Sequence, residues 1–240
     1  MGNYDDILKK SKKIFLVGIG GAGMSAIAQV LHGMGFEVSG SDIKKSRYTN
    51  VLKSKDIKIF IGHSRKNIKG VDVVVYSTAI PDNNLEIMAA RDEKIPILAR
   101  SDILAWILNN RKGIAISGTH GKTTTTSMTA LILRGLGLDP IIMVGGELNE
   151  LGSNARYGKG EYVIAEACES DGSFLKYKPL ISVVTNVEGD HFDYYKDIEE
   201  IRQSFKKFVT NTKSQGLVIM NGDKSNLKDI AKSTGKRIIY

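Results

Sequence analysis

The chain has 240 residues, 42% of them hydrophobic and 25% charged, with 34 Lys and Arg against 26 Asp and Glu, a formal net charge of +8. That composition suits a globular chain; no run approaches the ~18 consecutive apolar residues of a membrane span, and one cysteine, Cys168, excludes an intrachain disulfide. The excess charge is lysine scattered beside Asp and Glu (KSKDIK, RDEK, KDIEEIRQSFKK), without an arginine-rich arm or basic–aromatic alternation, so the expectation is a solvated surface friendly to small anions and no nucleic-acid partner.

The opening stretch MGNYDDILKKSKK lacks the apolar core of a secretion signal, and Asp6 stands where an N-terminal acylation pattern needs Ser or Thr. A cytoplasmic location with no membrane partner is expected. KKIFLVG (12–18) then reads as a strand, followed by a glycine-rich turn and a helix over 22–34. Strands follow at FEVSG (36–40) and VDVVVYS (71–77), and helices at 83–92 and 101–109. The amphipathic stretch around Trp106 ends in LNNRKG (108–113), where a new strand–glycine–helix unit begins, GIAISG (113–118) leading into a helix over 121–136. YVIAEA (162–167), LISVVTN (180–186) and GLVIMN (216–221) are further strands, with a helix over 196–211, and strand-like RIIY ends the sequence. Apolar runs alternating with helices predict α/β architecture with parallel sheets. The seam predicts two domains, 1–110 and 111–240, the second incomplete because no helix closes it.

Two glycine-rich turns carry the chemistry. In VGIGGAGM (17–24), Gly18, Gly20 and Gly23 fit G-x-G-x-x-G between a strand and a helix. Such a turn lets backbone approach a ligand, and the helix N-terminus offers N–H groups and about half a positive charge to phosphate. Asp42 follows the next strand, where a carboxylate can hold a ribose hydroxyl or a base. An ordinary glycine turn and an NAD-dependent dehydrogenase are the competing readings; both lose weight to the second turn. There Ser117-Gly118-Thr119-His120-Gly121-Lys122-Thr123-Thr124 keeps G-x-x-G-K-T-T, although Ile116 occupies the position at which a strict P-loop has its first glycine. Backbone N–H groups would cradle phosphates, the Lys122 ammonium would face the outer ones, and Thr123 would offer a hydroxyl to Mg²⁺. Four successive threonines are poor helix material, which a packing account leaves unexplained.

Two more strands end in polar clusters, AEACESDGSF (165–174) and TNVEGDHFDYY (185–195). Carboxyl ends of parallel strands converge on the ligand crevice, so Glu166 and His191 can reach the edge that carries Lys122; Glu166 suits Mg²⁺. His32 reads as solvated. His63 fits a pocket or a turn equally, and Ser77 and Thr78 either face the first-domain ligand or form a turn.

GIGGAGMSAIA, GTHGKTTTT, EACESDGSF and TNVEGDHFDYY, in this order, resemble the Mur ligase family over nearly all 240 residues. The resemblance implies a Rossmann-like N-terminal domain followed by a P-loop-type α/β central domain, with the family's C-terminal domain outside these residues. It implies that Gly18, Gly20, Gly21, Ala22, Gly23 and Met24, with Asp42, Ser77 and Thr78, bind the UDP-sugar. Gly118, Thr119, His120, Gly121, Lys122, Thr123 and Thr124 would bind ATP. Thr123 and Glu166 would hold the ATP-linked Mg²⁺ and His191 a second one, with Lys122 and His191 catalytic. The implied reaction joins L-alanine to the lactyl carboxylate of UDP-N-acetylmuramate, with little activity expected of these residues alone. A peptide-adding ligase of the same family and a non-catalytic UDP-sugar-binding module are the alternatives. Two positions depart from the family pattern. Cys168 replaces an expected Asp, on a strand face shared with Glu166 if alternation continues. Gly189 replaces a Pro, which should loosen the turn presenting His191.

Overall fold

A strand that must return parallel to its neighbour needs a crossover, and this chain supplies helices for most of them. The computed structural model describes residues 4–148, 150, 152–232 and 234–240. They divide into two compact units, one made of Met1–Trp106 with Gly145–Tyr157, the other of Ile107–Val144 with Gly158–Tyr240.

In the first unit a short helix α1 (Tyr4–Lys10) precedes β1 (Lys13–Val17), α2 (Ala22–Gly33), β2 (Glu37–Asp42), α3 (Arg47–Lys53), β3 (Lys58–Ile61), β4 (Val73–Tyr76), α4 (Leu85–Asp92), β5 (Ile97–Ala99) and the first part of α5 (Arg100–Asn109). The strands form one parallel sheet in the order β3-β2-β1-β4-β5. Its centre is β1, whose Ile14, Phe15, Leu16 and Val17 have no exposed surface, as a strand covered on both faces requires. Phe15, Val17 and Val74 pack with Ile68, Ile87 and Ala90 into one core. Two helix starts are built from side chains: Ser46 caps α3 in a reciprocal box with Thr49, and Asn84 Oδ1 accepts from the N–H groups of Glu86 and Ile87 at α4.

The second unit runs through β6 (Lys112–Ser117), α6 (Lys122–Gly135) and the first part of β7 (Ile141–Leu148), then β9 (Tyr162–Glu166), β10 (Ile181–Val184), α7 (Ile198–Thr210), β11 (Leu217–Met220), α8 (Ser225–Lys232) and β12 (Ile238–Ile239); β8 (Ser153–Arg156) lies in the stretch assigned to the first unit. The sheet is parallel across β10–β6, β6–β9, β9–β7, β10–β11 and β11–β12. Phe174 stacks on Phe208 with ring centroids 5.2 Å apart and meets Phe205 edge-on at 5.4 Å. Asp197 caps α7 by accepting from Glu200 N–H.

The seam at Trp106 falls just before LNNRKG, and residues 145–157 go to the first unit, where two sequence-contiguous domains were expected. The reason is local. Ser25 and Gln29 are buried polar residues on α2, and Ser153 and Asn154 satisfy them: Asn154 Oδ1 accepts from Gln29 Nε2 at 3.2 Å, and Ser153 Oγ donates to Gln29 Oε1 at 2.9 Å. No helix among the described residues is long and apolar enough to cross a membrane.

Candidate functional site

The first glycine turn lies where the strand order of its sheet reverses, β1 leading outward to β2 and β3 on one side and β4 to β5 on the other. Ligands of open α/β sheets bind at this switch, beyond the carboxyl ends of the strands. The turn 18–24 leaves β1, Asp42 ends β2, and Ser77 and Thr78 follow β4. Asp42 Oδ2 accepts the Gly20 N–H at 2.9 Å, and Oδ1 accepts that of Lys44 at 3.3 Å, so this carboxylate braces the turn from the neighbouring strand. The N–H groups of Gly18 and Ile19 donate to Ser41 O at 2.8 and 2.9 Å. Asn154 Nδ2 donates to Ala22 O at 2.5 Å, and Met24 is buried. Helix α2 opens at Gly21, in extended conformation, with no side-chain cap. Arg100 lies against Gly23, its Nη1 3.1 Å from where a Cβ would stand. Ser77 Oγ accepts from Ala79 N–H at 3.2 Å, the turn reading of that residue, while Thr78 is exposed.

His63 belongs to neither simple alternative. Its Nδ1 is 2.8 Å from Glu86 Oε2 and 3.0 Å from Ser41 Oγ; Glu86 is fully buried, and Asn67 Nδ2 donates to its Oε1 at 2.7 Å. Glu86 could not be read from the sequence as anything but an exposed first-turn acid. His32, at the end of α2, is exposed as expected.

In the second unit β10, β6 and β9 are neighbours. The loops that leave their carboxyl ends therefore meet, which brings residues 118–122, 166–173 and 185–191 to one edge. Gly118 is at φ +139°, and an added Cβ would collide with Thr185 Oγ1. The loop is stapled to the segment after β10. Thr119 N–H donates to Asn186 O at 3.2 Å, Thr119 Oγ1 accepts from Glu188 N–H at 2.9 Å, and His120 N–H donates to Asn186 Oδ1 at 2.9 Å. Helix α6 opens at Gly121, in left-handed conformation, again with no side-chain cap.

Lys122, the first residue of α6, turns its ammonium back into the loop. Nζ donates to Gly118 O at 2.6 Å, to Thr119 O at 3.2 Å and to Glu169 Oε1 at 2.9 Å. His191 Nε2 lies 3.7 Å from the same Glu169 oxygen and 3.9 Å from Asp190 Oδ2. His191 is held at φ +55°, with its N–H on Asp190 Oδ1 at 2.7 Å. Glu169 is fixed from below: Tyr195 Oη donates to its backbone O at 2.5 Å, and burial pushes the Tyr195 phenol up to about 12. The sequence-predicted Lys122 and His191 are thus brought together through a residue that motif spacing does not single out. Glu169 sits in the EACESDGSF cluster, so its signal is a second carboxylate in the loop after the strand. Thr185 and Asn186 are visible in the sequence only as polar residues at a strand end.

Glu166 ends β9 in register with Ile116, and Thr123 is exposed at the start of α6. Among the described residues no three His, Cys, Asp or Glu form a ready cage for a metal ion. Mg²⁺ does not need one; it takes one or two carboxylates and completes its shell with water and phosphate oxygens. Glu169 Oε2, buried and without a hydrogen-bond partner, is an oxygen of the required kind. The donor set therefore fits such an ion. The shared strand face of Glu166 and Cys168 is a correction: β9 stops at Glu166, one more ladder bond follows at Ala167, and alternation has no strand to act on at Cys168, whose Sγ is 3.1 Å from Ser170 Oγ.

Residues 13–112 match the Mur ligase family catalytic domain, and residues 116–240 the Mur ligase middle domain. The chain is 50% identical over 228 residues to a UDP-N-acetylmuramate–L-alanine ligase of Geotalea uraniireducens, covering 95% of this chain and 50% of that protein. It spans about half the length of the curated relatives it matches. The crystal structure of a UDP-N-acetylmuramate–alanine ligase from Thermotoga maritima is similar at TM-score 0.83 and 35% identity, over 91% of this chain and 51% of that one. A UDP-N-acetylmuramate:L-alanyl-γ-D-glutamyl-meso-diaminopimelate ligase from Neisseria meningitides is similar at TM-score 0.86 and 28% identity, over 95% and 77%.

Proposed function

Since the chain belongs to the Mur ligase family, we propose that it serves the ATP-dependent joining of L-alanine to the lactyl carboxylate of UDP-N-acetylmuramate, in the cytoplasmic assembly of peptidoglycan precursors. The observation that carries this reading is a contrast in capping. Helices α3, α4 and α7 close their N-termini with their own side chains, whereas α2 and α6, the two that open at glycine turns, do not. Uncapped N–H groups at a helix start suit phosphate. In this reading Gly18, Gly20, Gly21, Ala22, Gly23 and Met24 receive the diphosphate of the UDP-sugar, with Asp42, Ser77 and Thr78 along the same crevice. Gly118, Thr119, His120, Gly121, Lys122, Thr123 and Thr124 receive the ATP phosphates. The two functions fall to the first and the second unit respectively.

The lactyl carboxylate attacks the γ-phosphoryl group, ADP leaves, and the resulting acyl phosphate is opened by the amine of L-alanine with loss of phosphate and a proton. Two anions have to meet in the first step, so positive charge must be aimed at the transferring group. Lys122 supplies it from the loop. Thr123 and Glu166 would hold the Mg²⁺ that travels with ATP, and His191 a second ion; bound there, such ions neutralise phosphate and carboxylate oxygens. The 240 residues are expected to bind these ligands better than they turn them over, because the relatives named for the reaction are about twice as long.

Lys122→Ala tests the two-site assignment. It should weaken ATP–Mg²⁺ binding about 100-fold, the weight of a lost charge-assisted contact, and leave UDP-N-acetylmuramate affinity within about twofold; calorimetric titration reads both. Equal loss of the two would contradict separate sites. The likeness to the Neisseria meningitides structure favours a second reading, a peptide-adding ligase. Phosphate release with L-alanine against release with the L-alanyl tripeptide, measured on a chain as long as those relatives, separates the two.

A further inference from the structure

Lys122 is a cation whose charge is already answered. Its three ammonium hydrogens meet three acceptors, and one of these is a carboxylate. The pair is sheltered, with 16% of the Lys122 side chain exposed and 3% of that of Glu169. The histidines nearby also face carboxylates: His120 Nε2 is 3.7 Å from Glu188 Oε2, and His191 lies between Glu169 and Asp190. What the turn offers to a phosphate chain arriving without its metal is therefore the uncapped start of α6, about half a charge; the Lys122 charge becomes available to the transferring group once a cation answers Glu169.

The two oxygens of Glu169 are unequal. Oε1 is engaged by Lys122; Oε2 is buried and accepts from nothing. A carboxylate in that position repels a bare phosphate oxygen and attracts a hard divalent cation or the water around it. Its backbone is anchored by Tyr195 Oη and Gly172 N–H, which both donate to its carbonyl, at 2.5 and 3.0 Å, and its carboxylate by Lys122.

We propose that Glu169 makes nucleotide binding at the second glycine turn depend on a divalent cation. This rests on the nucleotide reading given above and adds to it a selecting residue: a polyphosphate without its metal meets a neutralised lysine beside a fixed negative charge, whereas one carrying its metal satisfies that charge. Glu169 is a positioning residue in this role, acting through Lys122 and through the cation.

The test is calorimetric titration of the chain with ADP, once in EDTA and once in excess Mg²⁺, for the wild type and for Glu169→Gln, with thermal melts to establish that both are folded. In the wild type the metal should tighten ADP by about 30-fold or more; in Glu169→Gln metal-free ADP should gain about tenfold, shrinking the ratio to about threefold. Glu169→Asp, which keeps the charge, should keep most of the wild-type ratio. The proposal is overturned if Glu169→Gln leaves the ratio unchanged, or weakens ADP equally in both buffers as plain structural support would. A wild type indifferent to Mg²⁺ overturns it with no variant needed. Absence of ADP binding in either buffer would instead remove the nucleotide reading itself, and this inference with it.

Discussion

The two glycine turns solve one problem in opposite ways. Each links a buried parallel strand to a helix whose first N–H groups have no side-chain cap. The first is braced by a neighbouring acid, Asp42 on Gly20 N–H, and leads into a helix buried from Met24 to Leu31. The second is braced by backbone and amide staples from residues 185–188, and leads into a helix on which Met128 and Ile132 are exposed. The first turn uses an acid to shape backbone; the second uses one to hold a lysine. Similar sequence patterns therefore tolerate different changes.

The largest difference should appear between one glycine of each turn, Gly118 at the end of its strand and Gly21 at the start of its helix. Gly118→Ala puts a Cβ into Thr185 Oγ1 at a backbone angle that L-residues avoid, so it should cost about 3 kcal/mol or more in urea unfolding. Gly21→Ala has φ −74° and only an ordinary 3.5 Å contact with Gly18 O, so it should stay within about 0.5 kcal/mol. Equal costs would erase the contrast. Asp42→Asn comes next. It keeps the shape but weakens the acceptor on Gly20 N–H, and should loosen UDP-sugar binding about tenfold while leaving ADP affinity alone; an effect on ADP would mean that the turns are not independent.

How much of this is legible in the sequence depends on length and pattern. The buried strands at 13–17, 73–76 and 112–117 announce themselves as β-branched runs, and the helices after each glycine turn are equally plain. Strands β3 and β5 do not: KIFI and ILA are short and only partly buried, and neither carries an unbroken β-branched run like the VVVY of β4. Strands β7 and β8 escape notice because glycines and polar residues interrupt them, IIMVGGEL and SNAR. At the site, Lys122 and the glycines follow from motif spacing. Glu169 does not, because its importance is a matter of burial and of a 2.9 Å approach across 47 positions of sequence. Nor does Asn154, whose partners Ala22, Ser25 and Gln29 are far away in the chain.

The smallest expected effect concerns the strand that leads to the first turn. Asp72 Oδ2 accepts the N–H groups of Lys12 and Lys13, at 2.7 and 2.8 Å, where β1 begins. The bond from Lys13 and then that from Lys12 hold its carboxyl below the ordinary carboxylate range. A carboxyl depressed in the folded state adds stability above its unfolded value, about 3.9, and loses it as pH falls through the depressed one. Asp72→Asn should therefore flatten the acid limb of the stability curve below about pH 4 and leave its slope unchanged above about pH 5. The carboxylate is exposed, so solvent screening limits the effect to a few tenths of a kcal/mol. A change of slope near neutrality would assign the strand start to some other group.

The stretch 145–157 gives the chain an awkward anatomy for anyone who cuts it. A gene fragment stopping near residue 110 would strip α2 of Ser153 and Asn154, baring Ser25 and Gln29 and unpinning the carbonyl of Ala22. The autonomous piece is thus two intervals of sequence, not one, and a faithful excision would have to splice the later interval back on with a linker.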